Sequence, residues 1–167
     1  MIRDATTADV PGILAIYNDA ILHTTAVYDY EPHALEARQA WFAQKVEAGF
    51  PVLVYESEGR VAGFASFGPF RAWAAYRYTV EHSVYVHPAF RGRGIGFSLL
   101  RRIVDVAAER EYKVIVGGID SANEQSIRLH EKLGFERVGT IEKAGYKFGR
   151  WLDLAFYRLE LHGPRRP

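Results

Sequence analysis

Apolar and polar residues follow two different rhythms along this chain, and each change of rhythm marks a new element. "MIRDA" opens as a short strand, and "TTADVPGILAIYNDAIL" follows with helical spacing, Thr7 placed to cap its start and Pro11 tolerated in the first turns. "HALEARQAWFAQKVEAG" has the mixed apolar and charged spacing of a second amphipathic helix, closed by Gly49. "PVLVYESEGRVAGFASFG" predicts two strands around a turn at 57–59, and "PFRAWAAYRYT" an aromatic, arginine-rich connection. "VEHSVYV" returns as a strand. "GIGFSLLRRIVDVAAER" then predicts a helix with Ile95, Leu99, Leu100, Ile103, Val104 and Ala107 along its apolar side. "KVIVGGI" is a further strand, "NEQSIRLHEKLG" a helix ended by Gly134, and 135–140 and 151–161 supply closing strands. With no repeat or linker to divide it, this alternation predicts one mixed α/β domain over 1–167, a single sheet covered by helices.

Composition narrows what such a domain can do. At 167 residues and 49% hydrophobic content the chain can bury a full core. Its 21 Lys and Arg against 20 Asp and Glu leave a net charge of +1, too small a field to suggest nucleic acid or membrane as a partner. Any cationic site is therefore local. The absence of cysteine removes disulfides, thiolate metal sites and a thiol nucleophile. The six histidines show no close ligand pairs and no carboxylate cluster imitates a calcium loop, so no metal is expected. The charged "MIRDATTADV" lacks the apolar core of a signal peptide and no apolar run reaches membrane-spanning length, which makes a cytoplasmic location the expectation.

The local cationic site is "RGRGIG", two arginines and three glycines between a strand ending near Val86 and a helix beginning near Gly94. Unpaired N–H groups and the positive end of the helix dipole converge there, and glycines let an anion approach the backbone closely. A phosphate-bearing ligand suits such a turn. The dinucleotide fingerprint fails, because its third glycine is replaced by Phe97 or Leu99, and no Gly-Lys-Ser/Thr follows to make a P-loop.

"VYVHPAFRGRGIG" resembles the acyl-CoA pyrophosphate loop of the GNAT N-acetyltransferase superfamily, and "NEQSIRLHEKLGF" resembles that superfamily's other signature helix. "IRDATTADVPGILAIYN", "TVEHSVYV" and "AGYKFGRWLDLAFY" extend the likeness over nearly the whole chain, toward the phosphinothricin and methionine sulfoximine acetyltransferase branch. The resemblance implies a mostly antiparallel twisted sheet with one splayed strand pair, flanked by about four helices. It implies acetyl-CoA as co-substrate. The pantetheine arm would bond to backbone groups of Val84, Tyr85 and Val86. The pyrophosphate would rest on the turn formed by Arg91, Gly92, Arg93, Gly94, Ile95, Gly96 and Phe97, with side chains at Gly94 and Gly96 excluded by the volume of the phosphates.

The same resemblance gives the amide of Asn123 to the pantetheine, although "SANE" also reads as a capping box with Ser121 as cap and Glu124 reaching back. It makes Glu81 the general base that frees the acceptor amine, and His130 the group that protonates the departing thiolate. A surface glutamate and a packing histidine are the plain alternatives, and His82, on the opposite strand face from Glu81, is read as packing. Arg71 and Arg77, Lys147 and Tyr28 are candidates for the acceptor pocket, since arginine's planar fork holds anionic oxygens in fixed directions. They favour a small zwitterionic amino acid analogue: phosphinothricin, methionine sulfoximine or methionine sulfone. The aromatic residues Phe70, Trp73, Tyr76 and Tyr78 exceed what one small loop can easily hide, and the resemblance implies a homodimer whose facing loops complete that site. Acetylation of another small amine or of a protein amino terminus, and CoA binding without catalysis, are the competing expectations.

Overall fold

The computed structural model describes residues Met1–Pro167 and contains seven strands and four α-helices. The strands are β1 (Ile2–Asp4), β2 (Val52–Ser57), β3 (Arg60–Pro69), β4 (Thr79–Val86), β5 (Val114–Asp120), β6 (Glu136–Lys147) and β7 (Arg150–Glu160). The helices are α1 (Val10–His23), α2 (Leu35–Glu47), α3 (Ile95–Glu109) and α4 (Glu124–Lys132). The sheet order is β1-β2-β3-β4-β5-β7-β6. β1–β2, β2–β3, β5–β7 and β6–β7 pair antiparallel, while β4 and β5 pair parallel.

Two compact units divide the chain: Met1–Gly68 with Ser83–Ile103, and Pro69–His82 with Val104–Pro167. In the first, Val10, Ile13 and Ile16 of α1 recur at helical spacing and meet Val52 and Val54 of β2 and Phe64 of β3 in one apolar cluster. Leu99, Leu100 and Ile103 of α3 are buried in the same unit. Gly63 of β3 is glycine for a steric reason, because a Cβ there would stand 2.9 Å from both Leu99 Cδ1 and the carbonyl oxygen of Tyr85. In the second unit the long β6–β7 hairpin turns through Phe148 and Gly149, both at positive φ, and β7 pairs with β5 along its length.

The details depart from the sequence reading where local hydrogen bonds decide. Thr7 does not cap the first helix: it opens a 3-10 turn, Thr7–Asp9, whose N-cap is Thr6, and α1 then starts with Asp9 at its own N-cap position, the backbone N–H of Thr6 donating to the Asp9 carboxylate at 2.7 Å. Arg3 donates two hydrogen bonds to the same carboxylate, which together with the Thr6 bonds holds the Asp9 carboxyl down at about 2. On α3, Val106 is buried and Val104 only partly. The strand expected at 135–140 runs on to Lys147.

Candidate active site

The turn after β4 is built for close approach to its backbone. Pro88–Phe90 forms a 3-10 turn whose entry is capped by His87, the N–H of Ala89 donating to its Nδ1 at 3.1 Å. Gly92 and Gly94 then adopt φ of +78° and +76°, a left-handed conformation that costs any L side chain energy. Nothing lies within 4 Å of where a Cβ would sit on either. The helical course resumes at Ile95, and the N–H of Ser98 donates to the Gly94 carbonyl at 3.1 Å. The loop arginines lie at the surface, Arg91 paired with Asp19 at 3.1 Å and Arg93 with Glu58 at 3.0 Å. Exposed ion pairs of this kind are weak enough for a phosphate to displace.

The parallel ladder joins Thr79, Val80 and Glu81 to Val114, Ile115 and Val116, whereas β4 runs on to Val86 and β5 to Asp120. The parallel pairing therefore stops at Glu81, short of the ends of both strands. Glu81 is half-buried there, and a Cβ on Gly118 would come within 3.8 Å of its Oε2. Burial pushes the Glu81 carboxyl above the usual carboxylate range, and the positive charge of Arg71 pulls it partly back. A carboxylate so placed is partly stripped of water and more basic than a free one, which are the properties of a general base.

His82 and His130 form a buried pair with their rings nearly parallel, 19° between planes, and both meet Phe135 edge-on. The hydrogen bonds fix where the protons are. Nδ1–H of His130 donates to the carbonyl of Ser126 at 2.7 Å, so the other nitrogen of the neutral ring, Nε2, accepts from Nε2–H of His82 at 3.1 Å. That leaves Nδ1 of His82 bare, and it is buried without a partner. Burial, reinforced by His130, drives His82 down to about 3, and burial also lowers His130, so both rings are neutral near pH 7. Gly117 makes room for the pair: its Cβ would lie 2.7 Å from His82 Nε2. His82 thus does more than fill space, since it holds His130 in one tautomer.

Of the remaining sequence candidates, Arg71 acts on Glu81 through its charge, and the others make local contacts. Asn123, not Ser121, caps α4: its side-chain oxygen accepts from the N–H of Ser126 at 3.1 Å, so the capping box expected from "SANE" does not form. Arg71 and Arg77 are exposed, their guanidinium carbons 4.2 and 4.9 Å from the centroids of the neighbouring Phe70 and Tyr78 rings. Lys147 is buried near Phe148, and Tyr28 is partly exposed. No group of three or more His, Asp or Glu side chains is arranged to hold a metal. No helix is long and apolar enough to cross a membrane.

One cleft escaped the sequence reading. It opens in the first unit with a volume of about 390 Å³, lined by Tyr17 of α1, His33, Arg38 and Trp41 at and on α2, and Ser83 and Tyr85 of β4. His33 is anchored there by Asn18, which accepts from its backbone N–H at 2.8 Å and donates to its carbonyl at 3.0 Å. The signal was present in the sequence: Arg38 stands four residues before Phe42, on the buried stripe of α2, where a solvated arginine has no business.

Comparison with known proteins agrees with this geometry. The model of the Acetyltransferase (GNAT) family matches residues 13–135. An L-methionine sulfoximine/L-methionine sulfone acetyltransferase of Pseudomonas aeruginosa is 48% identical over 98% of this chain and 96% of its own. A phosphinothricin N-acetyltransferase of Streptomyces viridochromogenes is 38% identical over 99% of this chain and 91% of its own. A Salmonella typhimurium protein solved with its cofactor acetyl-CoA superposes with a TM-score of 0.97 at 47% identity, covering 100% of this chain and 96% of that one. The glycine turn, the short parallel ladder before it and these similarities over nearly the full length lead to one conclusion: this chain belongs to the GNAT family of acetyltransferases.

Proposed function

We propose that the chain transfers the acetyl group of acetyl-CoA to the α-amino group of a small amino acid analogue such as L-methionine sulfoximine, L-methionine sulfone or phosphinothricin, a detoxifying reaction. The acceptor class is that named for the relatives, 48% identical in the sulfoximine/sulfone enzyme and 38% in the phosphinothricin enzyme. The observation that carries the reading is the ladder that ends at Glu81, with the same strand continuing into Val84, Tyr85 and Val86 and then into the glycine turn. One strand thereby links a basic carboxylate to the backbone that would hold the cofactor.

Acetyl-CoA supplies an activated acetyl thioester. The empty space over Gly92 and Gly94 fits its phosphates, which Arg91 and Arg93 would meet together with the N–H groups from Gly92 to Phe97, Ile95 and Gly96 included. Val84, Tyr85 and Val86 would offer backbone groups to the pantetheine, and Asn123 its amide N–H₂, its oxygen being engaged in the cap. Glu81 takes a proton from the acceptor's ammonium, directly or through water, so that the amine's lone pair is free. His130 is the proposed proton source for the departing thiolate; because its Nε2 accepts from His82 in the resting state, it first takes up a proton that the acceptor amine sheds as the amide forms and then passes that proton on. Arg71, Arg77, Lys147 and Tyr28 are proposed to shape the mouth of the acceptor site.

The two compact units are proposed to work as one domain, and two copies to pair. Trp73 is 76% exposed, and Tyr76, Ile141, Tyr146 and Trp151 are exposed as well, side chains that a second copy would cover. Light scattering at micromolar concentration is expected to give twice the chain mass, and a monomer would contradict the pairing. Because acetyl-CoA is an intracellular metabolite, the reading places the enzyme in the cytoplasm.

Steady-state thiol release from acetyl-CoA with methionine sulfoximine, methionine sulfone, phosphinothricin, spermidine and a short peptide with a free amino terminus tests the function. Turnover with the three amino acids and little with spermidine is expected. Preference for spermidine would refute the acceptor class, a peptide preference would move the enzyme to protein amino termini, and acetyl-CoA binding without any turnover would make the chain a binding module.

A further inference from the structure

Arg38 is a cation that the fold buries without an acid. Its residue is 4% exposed, and its guanidinium carbon lies 3.8 Å from the centroid of the Tyr17 ring and 4.6 Å from that of Trp41. Its one side-chain hydrogen bond runs to an imidazole and not to a carboxylate: a terminal nitrogen donates to His33 Nδ1 at 3.3 Å, while its Nε is buried with no partner. The carboxylate of Asp29 lies on the far side of the imidazole, accepting from His33 Nε2–H at 2.9 Å. The charge is thus relayed to Arg38 only through a neutral ring.

A buried guanidinium keeps its proton, so a charge stripped of water and given no counterion is unfavourable unless something supplies the anion. The cleft over Arg38 is where that anion can enter. Its volume of about 390 Å³ is that of a small-molecule site, and Tyr17 and Trp41 hold the guanidinium plane in one orientation. A planar fork fixed in this way matches a carboxylate oxygen for nitrogen. A sulfone or sulfoximine oxygen is uncharged and would leave the cation uncompensated, and a phosphate dianion would bring more charge than one arginine offsets.

We propose that this cleft is the carboxylate site of the acceptor, with Arg38 receiving the α-carboxylate of the amino acid. The proposal rests on the reading of the chain as an acetyltransferase of small amino acids and adds the group by which that acceptor is held. It also separates two duties the sequence had given to Arg71 and Arg77 together. Those arginines are exposed and lie over their own neighbours Phe70 and Tyr78, whereas Arg38 alone among the three is desolvated.

The test compares L-methionine sulfone with its decarboxylated counterpart, 3-(methylsulfonyl)propan-1-amine, as acceptors for the wild type, Arg38→Gln and Arg38→Lys. The wild type is expected to show a KM at least about 10-fold lower for the amino acid than for the amine. Arg38→Gln should raise KM for the amino acid by about 10- to 100-fold while leaving KM for the amine and for acetyl-CoA within about two-fold, the scale of a charge-assisted hydrogen bond to a carboxylate. Arg38→Lys, which keeps the charge and loses the fork, should fall between. A wild type that does not prefer the acid overturns the proposal before any variant is made, as does an equal rise in KM for both acceptors, which would mark Arg38 as packing. If the wild type acetylates neither compound, the acetyltransfer reading fails on its own. The carboxylate site is then judged by titrating Trp41 emission, in a Trp73→Phe/Trp151→Phe background, with each compound. A saturable response to the acid that Arg38→Gln abolishes supports the site, and no such response overturns it.

Discussion

Replacing Glu81 by Gln should lower kcat/KM by about 10²- to 10⁴-fold near pH 7, the usual contribution of a positioned general base, with the loss shrinking as pH rises. An α-ammonium group has a pKa of about 8 at a peptide terminus and higher beside the free carboxylate of an amino acid, so at neutral pH nearly all of the acceptor holds the proton that must leave. Above that pKa the free amine is abundant and the base has less to do. The variant's log kcat/KM should therefore climb with pH up to the amine pKa, whereas the wild type levels off earlier. Stability provides an independent check. Because burial raises the folded-state pKa of Glu81, the native state binds that proton more tightly than the unfolded chain does. Its contribution is favourable below the ordinary carboxylate pKa and is lost as pH rises through the raised value, so at pH 7 and above the charged side chain is a burden on the fold. The neutral Gln should then melt no lower than the wild type at pH 8. A large and pH-independent loss of rate, or a variant that melts well below the wild type, would mean that Glu81 positions substrate or supports β4 instead of taking a proton.

The strands and helices were legible because their patterns are local. β2 and β3 announce themselves by apolar runs on either side of a Glu58–Gly59 turn, and α3 by its stripe of Ile95, Leu99, Leu100 and Ile103. Caps were less legible because neighbouring polar residues compete for the same N–H groups. Thr6, not Thr7, heads the 3-10 turn that leads into α1 since Asp9, held in place by Arg3, stands three residues beyond it, and Asn123 prevails over Ser121 since its side chain reaches Ser126. The glycine turn and Glu81 could be located because each belongs to a contiguous motif. The partnership of His82 with His130 could not, because it joins residues 48 apart in sequence through an imidazole–imidazole hydrogen bond, and nothing in "TVEHSVYV" says which ring His82 will meet. Arg38 drew no reading for a related reason. In a helix as polar as "LEARQAWFAQKVE" one more charge blends into a solvated face, so its spacing from Phe42 is a faint signal until the rings of Tyr17 and Trp41 are seen to enclose it.

Replacing Gly94 by Trp should abolish measurable acetyl-CoA binding while leaving the fold intact. Two costs have to be kept apart. The first is conformational: Gly94 has φ +76°, and a side chain in that left-handed region costs about 1–2 kcal/mol. That is small against a typical domain stability of about 5–15 kcal/mol, and with nothing within 4 Å of the added Cβ there is no clash to enlarge it. The second cost falls on the ligand, because the open space that accommodates the Cβ is the space through which phosphates would reach the N–H groups of the turn. Losing two such charge-assisted hydrogen bonds, at about 1.5–3 kcal/mol each, raises Kd by more than about 100-fold. Gly94→Ala separates the two effects, since it carries the same backbone strain with almost none of the bulk. It should melt within a few degrees of Gly94→Trp yet retain acetyl-CoA affinity to within about 10-fold. Calorimetric titration of both variants, set beside their thermal melts, decides the matter. An unchanged Kd in Gly94→Trp would remove the pyrophosphate from this turn, and equal losses of affinity in both variants would attribute the defect to strain in the backbone and not to an occupied cradle.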